Sequence, residues 1–380
     1  MKVALYRFDS TRWESGFDTT LDSESTLLLM FGAMGREKRI DEAMDEICRA
    51  YPHAVHAGCS DAGGIYNDEL SEDGLVAAVV RFEKSRLKKV VEPIHHADDS
   101  YAIGKRLAES LSEPDLKAVL VLSEGLTING TELTRGINEI LPESVVVTGG
   151  LAGDDDRFER TYVVNDACQP RSGMVSMIGF YGSAFHVASA FRGGWDRFGV
   201  EREITSSKQN VLYTLNDEPA LEVYKRYLGK YAEELPASAL LFPLAIRESK
   251  EDSELKVRTV LAVDEKEQSI TFAGDMPQGG YATFMKANFD RLIDGACEAA
   301  ESVAEGAEVD GDALSIAISC VGRKLLLKQR TEEELEATLD ILPKGTRQIG
   351  FYSYGEISPM HSGRCDLHNQ TMTLTLYWEA

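Results

Sequence analysis

Proline, basic residues and long apolar runs are all scarce in this sequence. Eleven prolines in 380 residues, with 43 % hydrophobic residues, exclude a disordered or proline-rich linker chain. Lys and Arg number 40 against 63 Asp and Glu, a formal charge of −23, which excludes a basic face for nucleic acid or anionic lipid. The acidity otherwise reads as a solubility feature. The densest basic stretch, 81–89, is interrupted by Glu83 and reads as a solvated strand-to-loop region. The longest apolar runs, 27–31, 75–80 and 118–122, are strand-sized, far short of the ~20 residues that span a bilayer. Residues 1–9 contain no apolar stretch of signal-peptide type. The six cysteines, at 48, 59, 168, 297, 320 and 365, form no CxxC pair. They read as free thiols in a reducing compartment, rather than a disulfide framework or zinc site, and the protein as cytoplasmic. No phosphate loop, dinucleotide fingerprint, HExxH or EF-hand loop occurs.

What is present is repetition. A strand over 26–31 runs through Gly35-Arg36 into an amphipathic helix over 39–49, with Ile40, Ala43, Met44 and Ile47 on one face, and ends near Pro52. A strand then enters the turn 58–65, and a strand over 74–82 closes the unit. The order recurs at the C-terminus: strand 313–319, Gly322-Arg323, helix 332–342 ended by Pro343, turn 350–357, strand 371–378. A third copy runs through strand 118–123, helix 131–141, strand 144–147, turn 149–155 and strand 174–181. A degenerate fourth lies between 240 and 275, with an acidic loop and a strand in the helix position. The pattern predicts a mixed α/β layered sandwich of two similar halves, built from repeated β-α-β-β units with helices outside the sheets. The boundaries read as an N-terminal segment 1–25, one domain over 26–215 and another over 216–380. The second opens on a helix over 218–228 capped by Asn216-Asp217. Packed with pseudo-symmetry, the glycine turns at 58–65, 149–155, 274–280 and 350–357 would converge on one central cleft, where backbone N–H groups can approach a ligand.

The candidate chemistry has plain alternatives. Gly58-x-Ser60-x-Ala62 approximates a nucleophile elbow, but its last position is not glycine and the acid and histidine partners are missing. A tight turn satisfied by the Ser60 hydroxyl is the simpler reading. Cys320 stands three residues before Arg323, which would lower its thiol pKa if the two faced each other; the alternative is an inert buried thiol. No histidine pair has helical metal-site spacing, although one histidine suffices for haem. His368 precedes the last strand and reads as a cleft or turn residue. Asp154-Asp155-Asp156 would suit a cation but reads more simply as a solvated turn. Trp195, after Gly193-Gly194, suits a ligand wall or plain packing.

Taken in order, Gly58-Cys59-Ser60-x-Ala62-Gly63, Gly149-Gly150-x-Ala152-Gly153-Asp154, Gly194-Trp195, Leu212-Tyr213-x-Leu215 and Pro219-Ala220-x3-Tyr224 resemble the FIST family. So do Phe242-Pro243-Leu244, Phe272-Ala273-Gly274-Asp275, Ser319-Cys320-x-Gly322-Arg323, Gly350-Phe351-Tyr352-x2-Gly355-Glu356-Ile357 and His368-Asn369-x-Thr371. The resemblance runs from residue 26 to the C-terminus. Gly64 departs from it, because the family tends to carry Glu there, which leaves Glu356 as the better carboxylate. The resemblance implies a cytoplasmic, non-enzymatic sensory protein of bacterial signal transduction that binds an amino acid or related metabolite between the halves. Its alternative implication is a haem protein sensing nitric oxide through a histidine kinase or cyclic-di-nucleotide enzyme. A third reading is an enzyme with Cys320 or Ser60 as nucleophile. Eukaryotic relatives carry an F-box, for which there is no room ahead of residue 26. No kinase or cyclase segment is fused, so output would pass through a separate partner; a homo-oligomer stays open. The expected ligand contacts are Cys59, Ser60, Gly149, Gly150, Asp154, Trp195, Gly274, Asp275, Cys320, Arg323, Tyr352, Glu356 and His368. Arg323 would pair with a carboxylate and Glu356 with an amine, beside an apolar wall of Tyr352 and Trp195.

Overall fold

The computed structural model describes residues 1–35, 37–235, 237–252 and 255–380. Arg36, expected to match Arg323, lies outside the described residues.

Each of three units supplies an outer strand, a first strand, a helix, a second strand, a short hairpin and a last strand. In the first unit these are Lys2–Phe8, Thr26–Gly32, helix Lys38–Ala50, Val55–Ser60, the hairpin Gly64–Tyr66/Glu69–Ser71, and Leu75–Arg81. The second has Arg86–Pro93, Leu116–Ser123, helix Gly130–Ile140, Val146–Leu151, the hairpin Val163–Val164/Pro170–Arg171, and Met174–Tyr181. The third has Phe185–Arg192, Ala313–Cys320, helix Thr331–Ile341, Thr346–Ser353, the hairpin Gly355–Pro359/Cys365–His368, and Met372–Glu379. In every unit the sheet order is outer, last, first, second, and only the first and second strands run parallel. Helices Ser100–Leu111 and Phe289–Ala304 join the outer to the first strand in units two and three.

The hairpins do not stay in their own sheets. The first unit's hairpin pairs with the third unit's second strand, Ile349 opposite Tyr66. The second unit's pairs with the first, Val163 opposite Cys59, and the third unit's with the second, Glu356 opposite Gly150. The exchange is cyclic, so the three units interlock across the expected join near residue 215. Residues 1–25, set apart in the sequence reading, contribute a full-length outer strand to the first sheet.

Alternation along the first strands explains the layering. Leu27, Leu29 and Phe31 share one apolar cluster with Ala118, Leu120 and Leu122 and with Leu314, Ile316 and Ile318, so the three sheets face one another. Phe31 stacks on Phe351 at 4.6 Å between ring centres. The intervening residues, such as Leu28 and Met30, face the outer helices. Strands buried on both faces read as unbroken apolar runs, the feature visible at 27–31 and 118–122. Ile40, Ala43, Met44 and Ile47 do form the buried face of their helix.

Four local expectations are corrected. The stretch 81–89 leads into the outer strand Arg86–Pro93, paired along its length with Met174–Tyr181, with Leu87 and Val90 half-buried against the apolar clusters on its two sides. Asn216 and Asp217 do not cap a helix. Their φ values of 50° and 65° make the two-residue turn of a tight hairpin, Leu215 opposite Glu218, and the helix starts at Ala220. Cys48 and Cys168 are joined as a disulfide, because the second unit's exchanged hairpin carries Cys168 over the first unit's helix; Cys59, Cys297, Cys320 and Cys365 are free. Between 193 and 288 the described residues, including those of the expected degenerate copy, instead build an antiparallel 9-stranded sheet with helix Ala220–Leu228 and its own apolar cluster. Among the described residues no helix is long and apolar enough to cross a membrane.

Candidate functional site

Three of the four glycine turns, 58–65, 149–155 and 350–357, do meet, but they meet one another, and the turn at 274–280 lies apart. Gly58, Gly149 and Gly350 hold equivalent places in the second strands, where a Cβ would lie 2.1, 1.9 and 1.7 Å from the carbonyl oxygens of Met30, Val121 and Ala317. Only glycine lets the parallel strands approach so closely. Beyond these residues the turns are laced by backbone hydrogen bonds: Gly153 N to Ser60 O (3.0 Å), Ala62 N to Tyr352 O (2.9 Å), Tyr352 N to Gly63 O (2.8 Å) and Tyr354 N to Leu151 O (3.1 Å). These four N–H groups, expected to face a ligand, are spent on the seam.

Most of the expected contacts lie inside it. Ser60 Oγ donates to Gly153 O and accepts from Tyr162 N, both at 2.9 Å, which locks a turn. Asp154 is buried rather than solvated; its carboxylate accepts from Arg157 Nε and from the backbone N–H of Glu159 and Arg160. Gly150 packs against Ile318 and Phe351, and Trp195 Nε1 donates to Gln370 O at 2.8 Å. Burial pushes the Cys59 and Cys320 thiols up. At Cys320 the Glu356 carboxyl adds to that, and Arg323 is too weak an influence to activate the sulfur.

Arg323 is wholly buried. Its Nε and Nη2 donate to Glu334 at 3.1 and 2.7 Å, Nη1 to Gly193 O at 2.7 Å, and Nη2 also to Leu292 O at 2.8 Å. Tyr352 Oη donates to the same Glu334 at 2.8 Å. The fork expected to receive a ligand ties helix Phe289–Ala304 to helix Thr331–Ile341. Glu356, also wholly buried, accepts from Ser353 Oγ (2.8 Å) and from Thr371 N and Oγ1 (3.1 and 2.9 Å). Burial outweighs these bonds and pushes its carboxyl up to about 8, so it carries a proton at neutral pH instead of a charge for an amine. His368 lies tilted against Phe191, ring centres 3.9 Å apart, with Nε2 near Ser358 O, and burial lowers it to about 4.

Gly274 and Asp275 stand apart from the seam, on a groove between helix Gly130–Ile140 and the inserted sheet. A cavity of about 840 Å³ there is lined from the helix by Thr131 and Glu132, from the third unit by Cys365 and Asp366, and from the insertion by Arg258 and Asp275. A neighbouring cavity of about 580 Å³ shares Asp275 and Glu132 and reaches Gly125, Leu151 and Tyr354. Asn129, which caps the helix by accepting from Glu132 N, also donates Nδ2 to Asp275 Oδ1 at 3.2 Å.

The decisive side chain in the larger cavity is Arg258, which the sequence reading did not single out. It is 1 % exposed. Its Nη1 donates to Leu367 O at 2.9 Å and its Nε approaches Asp275 O at 3.3 Å, both carbonyls. The other cations of the wall are spoken for: Arg135 pairs with Glu132, Arg247 with Glu201, Lys256 with Asp366 and Arg364 with Glu143. Among the described residues, Arg258 alone of these five has no carboxylate within ion-pair distance. Burial works against its charge, with Asp366 and Asp275 acting the other way from longer range. Gly274 makes its place, since a Cβ there would lie 2.8 Å from Arg258 Nε.

The FIST N domain family matches residues 26–218, and the FIST C domain family matches residues 220–359. The chain belongs to the FIST family. FIST domains are associated with signal-transduction sensing and small-ligand binding. Both matched regions contribute to the Arg258 groove, the N domain through helix Gly130–Ile140 and the C domain through Arg258 and Asp275. This FIST chain is 21 % identical over 388 residues to the uncharacterized protein MJ1623 of Methanocaldococcus jannaschii, covering 87 % of this chain and 70 % of that protein. A solved structure named "Structure of PurLQS from Thermotoga maritima" aligns over 95 % of this chain and 67 % of that chain at 9 % identity, with a TM-score of 0.17.

A haem held by histidine, one form of the haem implied by the FIST resemblance, finds no histidine among the described residues that line these cavities. His368 is sealed against Phe191, and no histidine lines either groove cavity or the aromatic pocket of about 480 Å³ formed around Phe198, Tyr227 and Phe242. A histidine-held haem does not fit these sites.

Proposed function

We propose that this FIST protein senses a small zwitterion, an amino acid or a close relative, held in the groove between helix Gly130–Ile140 and the inserted sheet. The observation that carries the reading is a wholly buried guanidinium, on a cavity wall, without a carboxylate partner among the described residues. Leaving a buried charge unpaired is costly, and a ligand carboxylate bound through the planar fork would offset that cost. Asp275, on the same wall, would take the ammonium group. The Arg323 and Glu356 pair proposed from sequence gives way to Arg258 and Asp275, because the former are committed within the fold. The family's association with sensing supports a separate signalling protein, of the histidine-kinase or cyclic-di-nucleotide-enzyme kind, as the recipient of the output.

Isothermal titration against a panel of amino acids and their des-amino acids tests the assignment. Arg258→Met, which keeps the side-chain bulk, should weaken the best ligand by at least about 30-fold, the low end for losing one partner of a buried charged pair. Asp275→Asn should weaken amino acids while sparing their des-amino counterparts. A panel ligand bound as tightly by Arg258→Met as by the wild type would remove the assignment.

A further inference from the structure

Among the described residues, one group of metal-ligating side chains lies outside both the seam and the groove. Cys48 comes from the last turn of helix Lys38–Ala50, His56 from strand Val55–Ser60, and Cys168 from the bend of the exchanged hairpin Val163–Val164/Pro170–Arg171. Their two sulfurs and an imidazole nitrogen all lie within 4.8 Å of one another. The sulfurs are bonded to each other, between residues whose Cα atoms are 6.6 Å apart. Both cysteines are buried among Met44, Ile47, Tyr51 and Val164.

The histidine carries a feature that a plain cross-link does not require. His56 Nε2 lies 2.7 Å from Tyr51 O. A carbonyl only accepts, so Nε2 carries the hydrogen and the ring's lone pair is on Nδ1. A metal-ligating histidine is ordinarily oriented in this way, its other N–H donated to a backbone carbonyl. The strands behind the cluster are fixed as well: Lys89 Nζ donates to His56 O at 2.8 Å and to Val164 O at 3.0 Å, clamping Val55–Ser60 to Val163–Val164.

We infer that Cys48, Cys168 and His56 form a redox-gated site for a thiophilic divalent cation of the zinc type, and that the disulfide is its metal-free form. Two molecules of a small thiol reductant open the site. They pass two electrons and two protons to the Cys48–Cys168 bond and leave as their own disulfide. The cation then displaces the two S–H protons and takes two thiolates and the imidazole, with a fourth position open to water. In such a site the sulfurs stand about 3.8 Å apart, each about 2.3 Å from the ion. Bonded sulfurs cannot both serve as thiolate ligands, so oxidation and metal binding exclude each other. The site also joins the first unit's helix to the second unit's hairpin, at a place where the cyclic exchange is made.

Cobalt(II) titration of the full chain, reduced with a phosphine and kept anaerobic, tests this. The expected result is one equivalent bound, with a thiolate-to-cobalt charge-transfer band in the near ultraviolet that zinc displaces. Cys48→Ser/Cys168→Ser should abolish the band and Cys297→Ser should leave it intact. His56→Gln, which keeps both thiols and the disulfide, should weaken binding at least about 10-fold. Diamide, which takes two electrons from the thiolates and two protons from water, should release one cobalt per disulfide formed. Reduced wild type that gives no band, or a band unchanged in the double cysteine variant, overturns the inference. If the double variant does not fold, His56→Gln decides: affinity equal to wild type excludes the three-ligand site.

Discussion

Two buried arginines separate structure from function at the scale of single residues. Arg323 pairs with Glu334 where both side chains are fully enclosed. Removing one member of such a pair leaves the other charge uncompensated, a cost of about 3–5 kcal/mol. Arg323→Met should lose about that much stability in urea unfolding, and Arg323→Met/Glu334→Leu should regain part of it, which a double-mutant cycle would quantify. Sequence marked Arg323 because it sits in a motif. Arg258 was invisible because its significance depends on Leu367 and Asp275, which only the tertiary fold brings to it. Glu356 gives a pH signature. Its carboxyl rises from an ordinary 4.5 to about 8 in the fold. The protonated native form is therefore favoured, and that stability is complete below pH 4.5 and lost as pH rises through 8. Glu356→Gln cannot ionise, so it should match wild type near pH 4.5 and exceed it at pH 9 by on the order of 3–5 kcal/mol. Equal stabilities at both pH values would contradict the buried neutral carboxyl.

At the scale of elements, the equivalent glycines are the most informative residues. Gly58, Gly149 and Gly350 mark the same contact in all three units, so Gly149→Ala should destabilise by about 3 kcal/mol or more. Gly16→Ala, with nothing within 4 Å of the added methyl, should stay within about 0.5 kcal/mol. The repeated strand–helix–strand order was legible because strands buried on both faces must be apolar throughout, and because proline and glycine end helices for local steric reasons. Where the hairpins go was not legible. Partner choice between strands is non-local, and Gly64–Tyr66 could have paired within its own sheet as readily as with Thr346–Ser353. The turn at Asn216-Asp217 shows the same limit on a smaller scale, since both residues suit a helix cap and a tight hairpin turn equally.

At the scale of the whole molecule, cyclic hairpin exchange makes the three sheets depend on one another. Each loses an edge and part of its core if the next unfolds. Trp13, packed on Phe8 and Phe17 in the first unit, and Trp378, on the last strand of the third, should report one urea midpoint when each is made the only tryptophan. Separate midpoints would show that the units fold independently. The inserted sheet, with its own core, is where a ligand could move one body against another, because the groove has the interlocked sheets on one side and the insertion on the other. The charge of −23 falls into place here too. On so acidic a protein, attraction for a carboxylate must be local, and a buried guanidinium is the local means.

The central claim is most directly tested by a crystal structure of the protein with the tightest ligand from the amino-acid panel. The account predicts a ligand carboxylate within about 3.2 Å of the Arg258 guanidinium and an ammonium group facing Asp275. A ligand seated elsewhere, with Arg258 still bonded only to backbone carbonyls, would contradict it.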